Sequence, residues 1–178
     1  MCHGLYFATL KKQTDFYIAK AFYECLEQNI PLNITTLCAQ AGIGRRTFYR
    51  HFSSVDEVFQ CCIASLFSEY RHTIRPLKNY NIEQIAKEFF GFWETKKREL
   101  RLLGRYDEAK LSALLFEDGV SLIKERSDDR FHLFSVYSAG VFLGLLNWWI
   151  AEDFQTPVQE LIVQFVQETE NIFSKDIS

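Results

Sequence analysis

The sequence predicts an all-α protein. Apolar residues recur every three to four positions over most of the chain, the period of a helix with one buried face. No hairpin dipeptide separates alternating runs: the one Asp-Gly pair, Asp118-Gly119, lies inside a helical pattern that continues on both sides. Hydrophobic residues make up 48% of the 178 residues against only 3 prolines and 8 glycines, a composition that can fill one or two compact cores.

The elements follow in order. A first helix is expected from Gln13 to Gln28, with Phe16, Ala19, Phe22, Tyr23 and Leu26 on one stripe; Pro31 cannot continue it. Thr35 is placed to cap a short second helix, "TLCAQA", which stops at Gly42, the residue type that tolerates a left-handed backbone. Gly44 then opens a third helix, Arg45 to Phe52, and Ser54 with Glu57 stands at capping-box spacing before a long fourth helix ending near Pro76. Four long amphipathic helices follow, at about residues 82–103, 107–124, 129–152 and 157–174. The texture changes near residues 71–81, and the division expected is a head at 1–53 and a C-terminal part at 54–178, with 54–75 as the connecting helix.

Charge and cysteines narrow the function. The net charge is -3, so the molecule as a whole does not attract a polyanion, yet Arg45, Arg46 and Arg50 lie between Ile34 and Val55 without one acid. Cys2, Cys25, Cys38, Cys61 and Cys62 form no CxxC pair, and they read as small apolar residues of a reducing cytoplasm with no metal and no cofactor. The start lacks a secretory signal. The longest apolar stretch, "AGVFLGLLNWWIA", falls short of the ~20 residues that cross a bilayer, so no membrane is expected. No metal motif, phosphate loop or Ser/Cys-His-acid pattern marks an enzyme; Cys38 with His51 is the weak exception.

A short helix, a tight glycine turn and a second short helix make the arrangement that lays its second helix in the DNA major groove. Arg45 and Arg46, in the first turn of that helix, suit bidentate bonds to guanine. Thr47, Tyr49 and His51 suit phosphate contacts, while Phe48 and Phe52, at i and i+4, fall on the opposite face as anchors. "ITTLCAQAGIGRRTFYRHFSSVDEVF" resembles the DNA-binding signature of the TetR family of bacterial transcription regulators, with Ile34, Thr35, Ala41, Gly42, Ile43, Thr47, Phe48, Tyr49, His51 and Phe52 at the matching places. The resemblance covers about residues 13–70 in detail and the remainder only in layout. It implies a three-helix helix-turn-helix head joined by a fourth helix to a ligand and dimerisation bundle, binding double-stranded DNA through Thr35, Arg45, Arg46, Thr47, Tyr49, Arg50 and His51. Two positions depart from the pattern: Gly44 replaces the usual capping serine, and Val55 stands where a lysine commonly adds a phosphate contact.

In the second half the aromatic residues read first as core. The resemblance implies that the last two helices pair with their copies in a homodimer, for which Gly140, Gly144, Trp148, Leu161, Phe165 and Ile172 are the candidates; the glycine pair would otherwise admit a bulky neighbour of the same chain. It also implies a small apolar or aromatic effector, with Phe89, Trp93, Phe116, Tyr137 and Trp149 as candidate lining. His132 reads as a surface histidine, and Glu117, Asp118, Glu152 and Asp153 as solvated helix faces. The leading expectation is a homodimeric repressor on a palindromic operator, released by the effector. A coregulator of the same fold whose bundle binds a protein partner is the alternative.

Overall fold

The computed structural model describes residues 13–73, 81–126 and 132–175. Among them are eight helices and no strand: α1 (Gln13–Glu27), α2 (Ile34–Ala41), α3 (Arg45–His51), α4 (Val55–Thr73), α5 (Ile82–Glu94), α6 (Lys97–Arg126), α7 (His132–Ala151) and α8 (Val158–Lys175). None of these is long and apolar enough to cross a membrane.

Local chemistry explains most boundaries. α2 begins two residues earlier than a Thr35 cap would set it, because Asn33 is the cap: its Oδ1 accepts from the Thr36 amide at 3.0 Å and Thr36 Oγ1 accepts from the Asn33 amide at 3.1 Å. This closes a reciprocal box that satisfies two otherwise orphaned donors. At its other end Gly42 takes φ 66°, and the amides of Gly42 and Ile43 donate to Ala39 and Cys38, a Schellman closure that turns the chain directly into α3. Ser54 caps α4 through the Glu57 amide, while Glu57 Oε2 reaches back past Ser54 to the Ser53 amide at 2.6 Å.

Two elements differ from the periodicity reading. The buried face of α1 is Asp15, Ile18, Ala21, Phe22 and Cys25, one step round from the expected stripe, and Phe16 is exposed. Both stripes carry apolar residues, so local pattern could not choose between them. The expected helix at 82–103 breaks at Thr95, whose hydroxyl donates to the Phe92 carbonyl at 2.7 Å. No glycine or proline signals that break. The next boundary does fall where expected: inside α6, Asp107 leaves helical geometry (φ −158°, ψ 94°) and its Oδ1 restarts the helix by accepting from the Lys110 amide.

The chain forms two compact units, residues 1–69 with 101–118, and residues 70–100 with 119–178. Compactness thus groups the chain differently from a division at 53/54. The first unit takes in most of α4 and the middle of α6. Tyr106 shows why: its ring lies 5.3 Å from Phe22 and 5.0 Å from Phe59, and its neighbour Arg105 donates to the Leu26 carbonyl at the end of α1. Lys110 is paired with Asp56 at the start of α4. Asp118, expected on a solvated face, is buried.

In the second unit α5 packs against α7 and α8. Phe90, Phe142 and Phe165, one from each helix, meet with centroids 5.1 to 6.2 Å apart. The reversal between α7 and α8 places Asp153 and Phe154 at φ 49° and 57°, a left-handed conformation that costs non-glycine residues energy. It is held by burial of Phe154 against Trp149 at 5.0 Å and by the Trp149 indole donating to the Thr156 carbonyl at 2.8 Å.

Close helix approach occurs at a glycine, though not at the expected pair. A β-carbon on Gly119 of α6 would lie 2.5 Å from Leu143 Cδ1 of α7, whereas one on Gly140 or Gly144 would meet nothing within 4 Å. Gly119→Ala is therefore expected to destabilise by about 1 to 3 kcal/mol through overpacking, outweighing the up to ~1 kcal/mol that alanine gains in a helix. Chemical denaturation checks this, and Leu143→Ala in the same background should recover part of the loss; a stabilised single variant would show that Leu143 moves freely.

Candidate nucleic-acid interface

Seven residues of α3 carry the site. Phe48 is fully buried and Phe52, which ends the helix in extended geometry, is nearly so; their rings lie 6.1 Å apart in the core of the first unit. That anchorage turns Arg45, Arg46, Tyr49 and Arg50 outward, all exposed, with Thr47 half-buried at the edge. The aromatic and basic faces expected of this helix are thus both present. Cationic side chains in a first turn oppose the helix dipole. α3 carries two there and no acid. A bound anion would offset that cost.

The Tyr49 hydroxyl, hydrogen-bonded beside Arg45, holds the guanidinium's pKa even higher than usual, so its charge is constant. Thr35 is exposed as the second residue of α2, free of the capping task because Asn33 performs it. On the far side of α2, Gln40 donates to Glu24 of α1 at 2.8 Å, which ties the two helices together.

His51 departs from expectation. Its Nδ1 lies 2.5 Å from Asp15 Oδ1, and both side chains are largely buried. The ring is therefore committed to α1 on one side and is not a freely exposed donor. Asp15 was invisible to motif reasoning, yet one signal existed: an acid at the head of the Ile18, Phe22, Cys25 stripe must find a partner if that stripe is the buried one.

The cysteine reading and the remaining candidates divide clearly. Cys25, Cys38, Cys61 and Cys62 are buried free thiols, and burial raises the pKa of each, Cys61 to about 11. Cys38 is thus no activated nucleophile for His51. Among the described residues no group of histidines, cysteines and acids could hold a metal ion.

The five effector candidates divide between buried and exposed positions. Phe89, Trp93 and Trp149 are buried in the ring-on-ring core of the second unit, Phe89 against Phe142 at 5.1 Å and Trp149 against Phe90 at 6.2 Å. Phe116 and Tyr137 are exposed. Of the dimer candidates, Leu161 and Phe165 are buried within their own chain because α5 covers that face of α8, which corrects their assignment to an interface. The Ile172 side chain lies outside the described residues, as does that of His132. Gly144 and Trp148 are exposed and Gly140 partly so, and with Tyr137 they form one face of α7.

No family model matches the chain, and no curated protein or solved structure matches it.

Proposed function

We propose that this protein is a sequence-specific DNA-binding transcription regulator of the TetR type, working as a homodimeric repressor on a two-fold symmetric operator. The observation that carries the reading is the outward arginine face of α3, set on a helix whose opposite face is locked by Phe48 and Phe52 and preceded by the Gly42 turn. In this reading α3 enters the major groove, Arg45, Arg46 and Arg50 hold the sequence-reading places, and Thr35, Thr47 and Tyr49 position the head on phosphates. The face of α7 bearing Tyr137, Gly140, Gly144 and Trp148 receives the second copy: a helix apolar nearly all round is ordinarily buried all round, and one side of this one is uncovered.

A second reading draws on that same α7 face. With the candidate effector rings spent on the core, a coregulator that docks a protein there is the alternative to release by a small apolar molecule.

Selection of bound duplexes from a random library tests the proposal. The expected product has two related half-sites about 10 base pairs apart, one helical turn. Arg45→Ala or Arg46→Ala should cost about 1 to 3 kcal/mol on that duplex and relax base preference, while Thr47→Ala weakens specific and random DNA alike. Equal losses on both DNAs for all three variants would overturn the division of roles, and recovery of no preferred sequence would overturn the function.

A further inference from the structure

The buried bond between His51 and Asp15 bears on how that contact with DNA is made. A carboxylate only accepts hydrogen bonds, so Asp15 fixes the hydrogen of a neutral His51 ring on Nδ1. Nε2 is then a bare acceptor. Among the described residues His51 makes no hydrogen bond other than the one to Asp15, and its Nε2 is not one of the buried atoms sealed off without a partner. That nitrogen therefore reaches the surface on the helix that carries the arginines.

A phosphate oxygen is also only an acceptor, and two acceptors facing each other repel. A neutral His51 bound to Asp15 cannot serve a phosphate. The imidazolium can, because it donates from both nitrogens, to Asp15 through Nδ1 and to the backbone of DNA through Nε2.

We propose that each head binds duplex DNA with His51 as the imidazolium, with Asp15 as the positioning residue that makes the doubly protonated ring necessary. The inference rests on the DNA-binding reading above. In a head whose ring is neutral, hydronium gives a proton to Nε2, its O–H bond breaking as the N–H bond forms, and that N–H donates to a phosphate oxygen. Because the doubly protonated ring is the form that serves the phosphate, affinity rises as pH falls.

The other groups around the pair do not supply the effect. They are Cys61 on α4, which lies within electrostatic reach of Asp15 and of Glu57, and Arg50, the exposed neighbour of His51 in sequence. Cys61, pushed up to about 11 first by burial and then by Asp15 and Glu57, stays a neutral thiol throughout the neutral range. Arginine keeps its charge as well.

The experiment is duplex binding by the full chain at constant ionic strength from about pH 8 to about pH 6. The probe is the duplex recovered by selection. Wild type should tighten by about tenfold or more across those two pH units, the ceiling being about tenfold per unit for each head that gains one proton. His51→Gln keeps a donor but cannot titrate, and its affinity should be flat relative to wild type. Asp15→Asn supplies the control for folding and the sharper readout: its amide can donate to Nδ1, so the neutral ring carries its hydrogen on Nε2 and serves the phosphate without a proton from solvent. Its pH slope should therefore collapse, with affinity near pH 8 equal to or above that of wild type. Equal slopes in wild type and both variants would overturn the inference while leaving DNA binding intact. Absence of binding to any duplex at either pH would overturn the functional reading itself.

Discussion

Phe48→Ala is expected to destabilise the first unit by about 3 to 5 kcal/mol, the usual cost of deleting a fully buried phenylalanine and leaving a cavity. Whole domains are stable by only about 5 to 15 kcal/mol, so this one ring decides whether α3 is docked. Within α3 it is the residue with no exposed surface, His51 being largely but not fully buried against Asp15. Its contacts with Phe52 at 6.1 Å and Tyr49 at 5.8 Å would be lost together. Urea denaturation monitored by circular dichroism measures the loss. Tyr49→Ala, half-exposed on the same helix, should change stability by less than about 1 kcal/mol while weakening DNA binding. If the two variants were equally unstable, Phe48 would not be the anchor and the orientation of the arginine face would lose its explanation.

Trp149→Ala should cost the second unit a similar amount, about 3 to 5 kcal/mol, but for a more composite reason. The indole fills core space beside Phe90 and Phe154, accepts the Lys97 ammonium over its face at 4.7 Å, and satisfies the Thr156 carbonyl through its N–H. Trp149→Phe separates these parts. It keeps much of the volume and a ring for Lys97, yet leaves the carbonyl without its donor and the left-handed Phe154 without its full backing, for an expected loss of about 1 to 3 kcal/mol. Thermal unfolding distinguishes them, because the phenylalanine variant should lie between wild type and the alanine variant. A phenylalanine variant as unstable as the alanine one would assign the whole effect to the hydrogen bond.

Both results bear on what the bundle is for. Phe89, Trp93 and Trp149 pack among other rings in the core of the second unit, and the large apolar side chains it exposes include Tyr137 and Trp148 on α7 and Val163 on α8. Gly119 is the position where two helices of this chain meet closely, and Gly140 and Gly144 face open space where a second helix could approach.

Much of the head was legible because its signals are local. Gly42 announces a left-handed turn, Gly44 and the arginines open α3, and the i, i+4 spacing of Phe48 and Phe52 places them on the face opposite the arginines. The missed features have no local cause. Which stripe of α1 is buried depended on what packs against it, and the same choice drew Asp15 under α3 to meet His51. Thr35 and Asn33 are both competent caps, and the reciprocal bond with Thr36 selected Asn33.

The sequence by itself determined that this chain is helical, where most of its helices begin and end, and which short helix sets arginine opposite phenylalanine. Those properties follow from backbone sterics, capping chemistry and periodicity, all of which act over a few residues. Tertiary structure alone decided that the middle of α6 joins the first unit, that Leu161 and Phe165 serve their own core, and that His51 is bound to an acid 36 residues away. Burial is settled by whatever arrives from elsewhere in the chain, and no pattern of neighbours encodes that arrival.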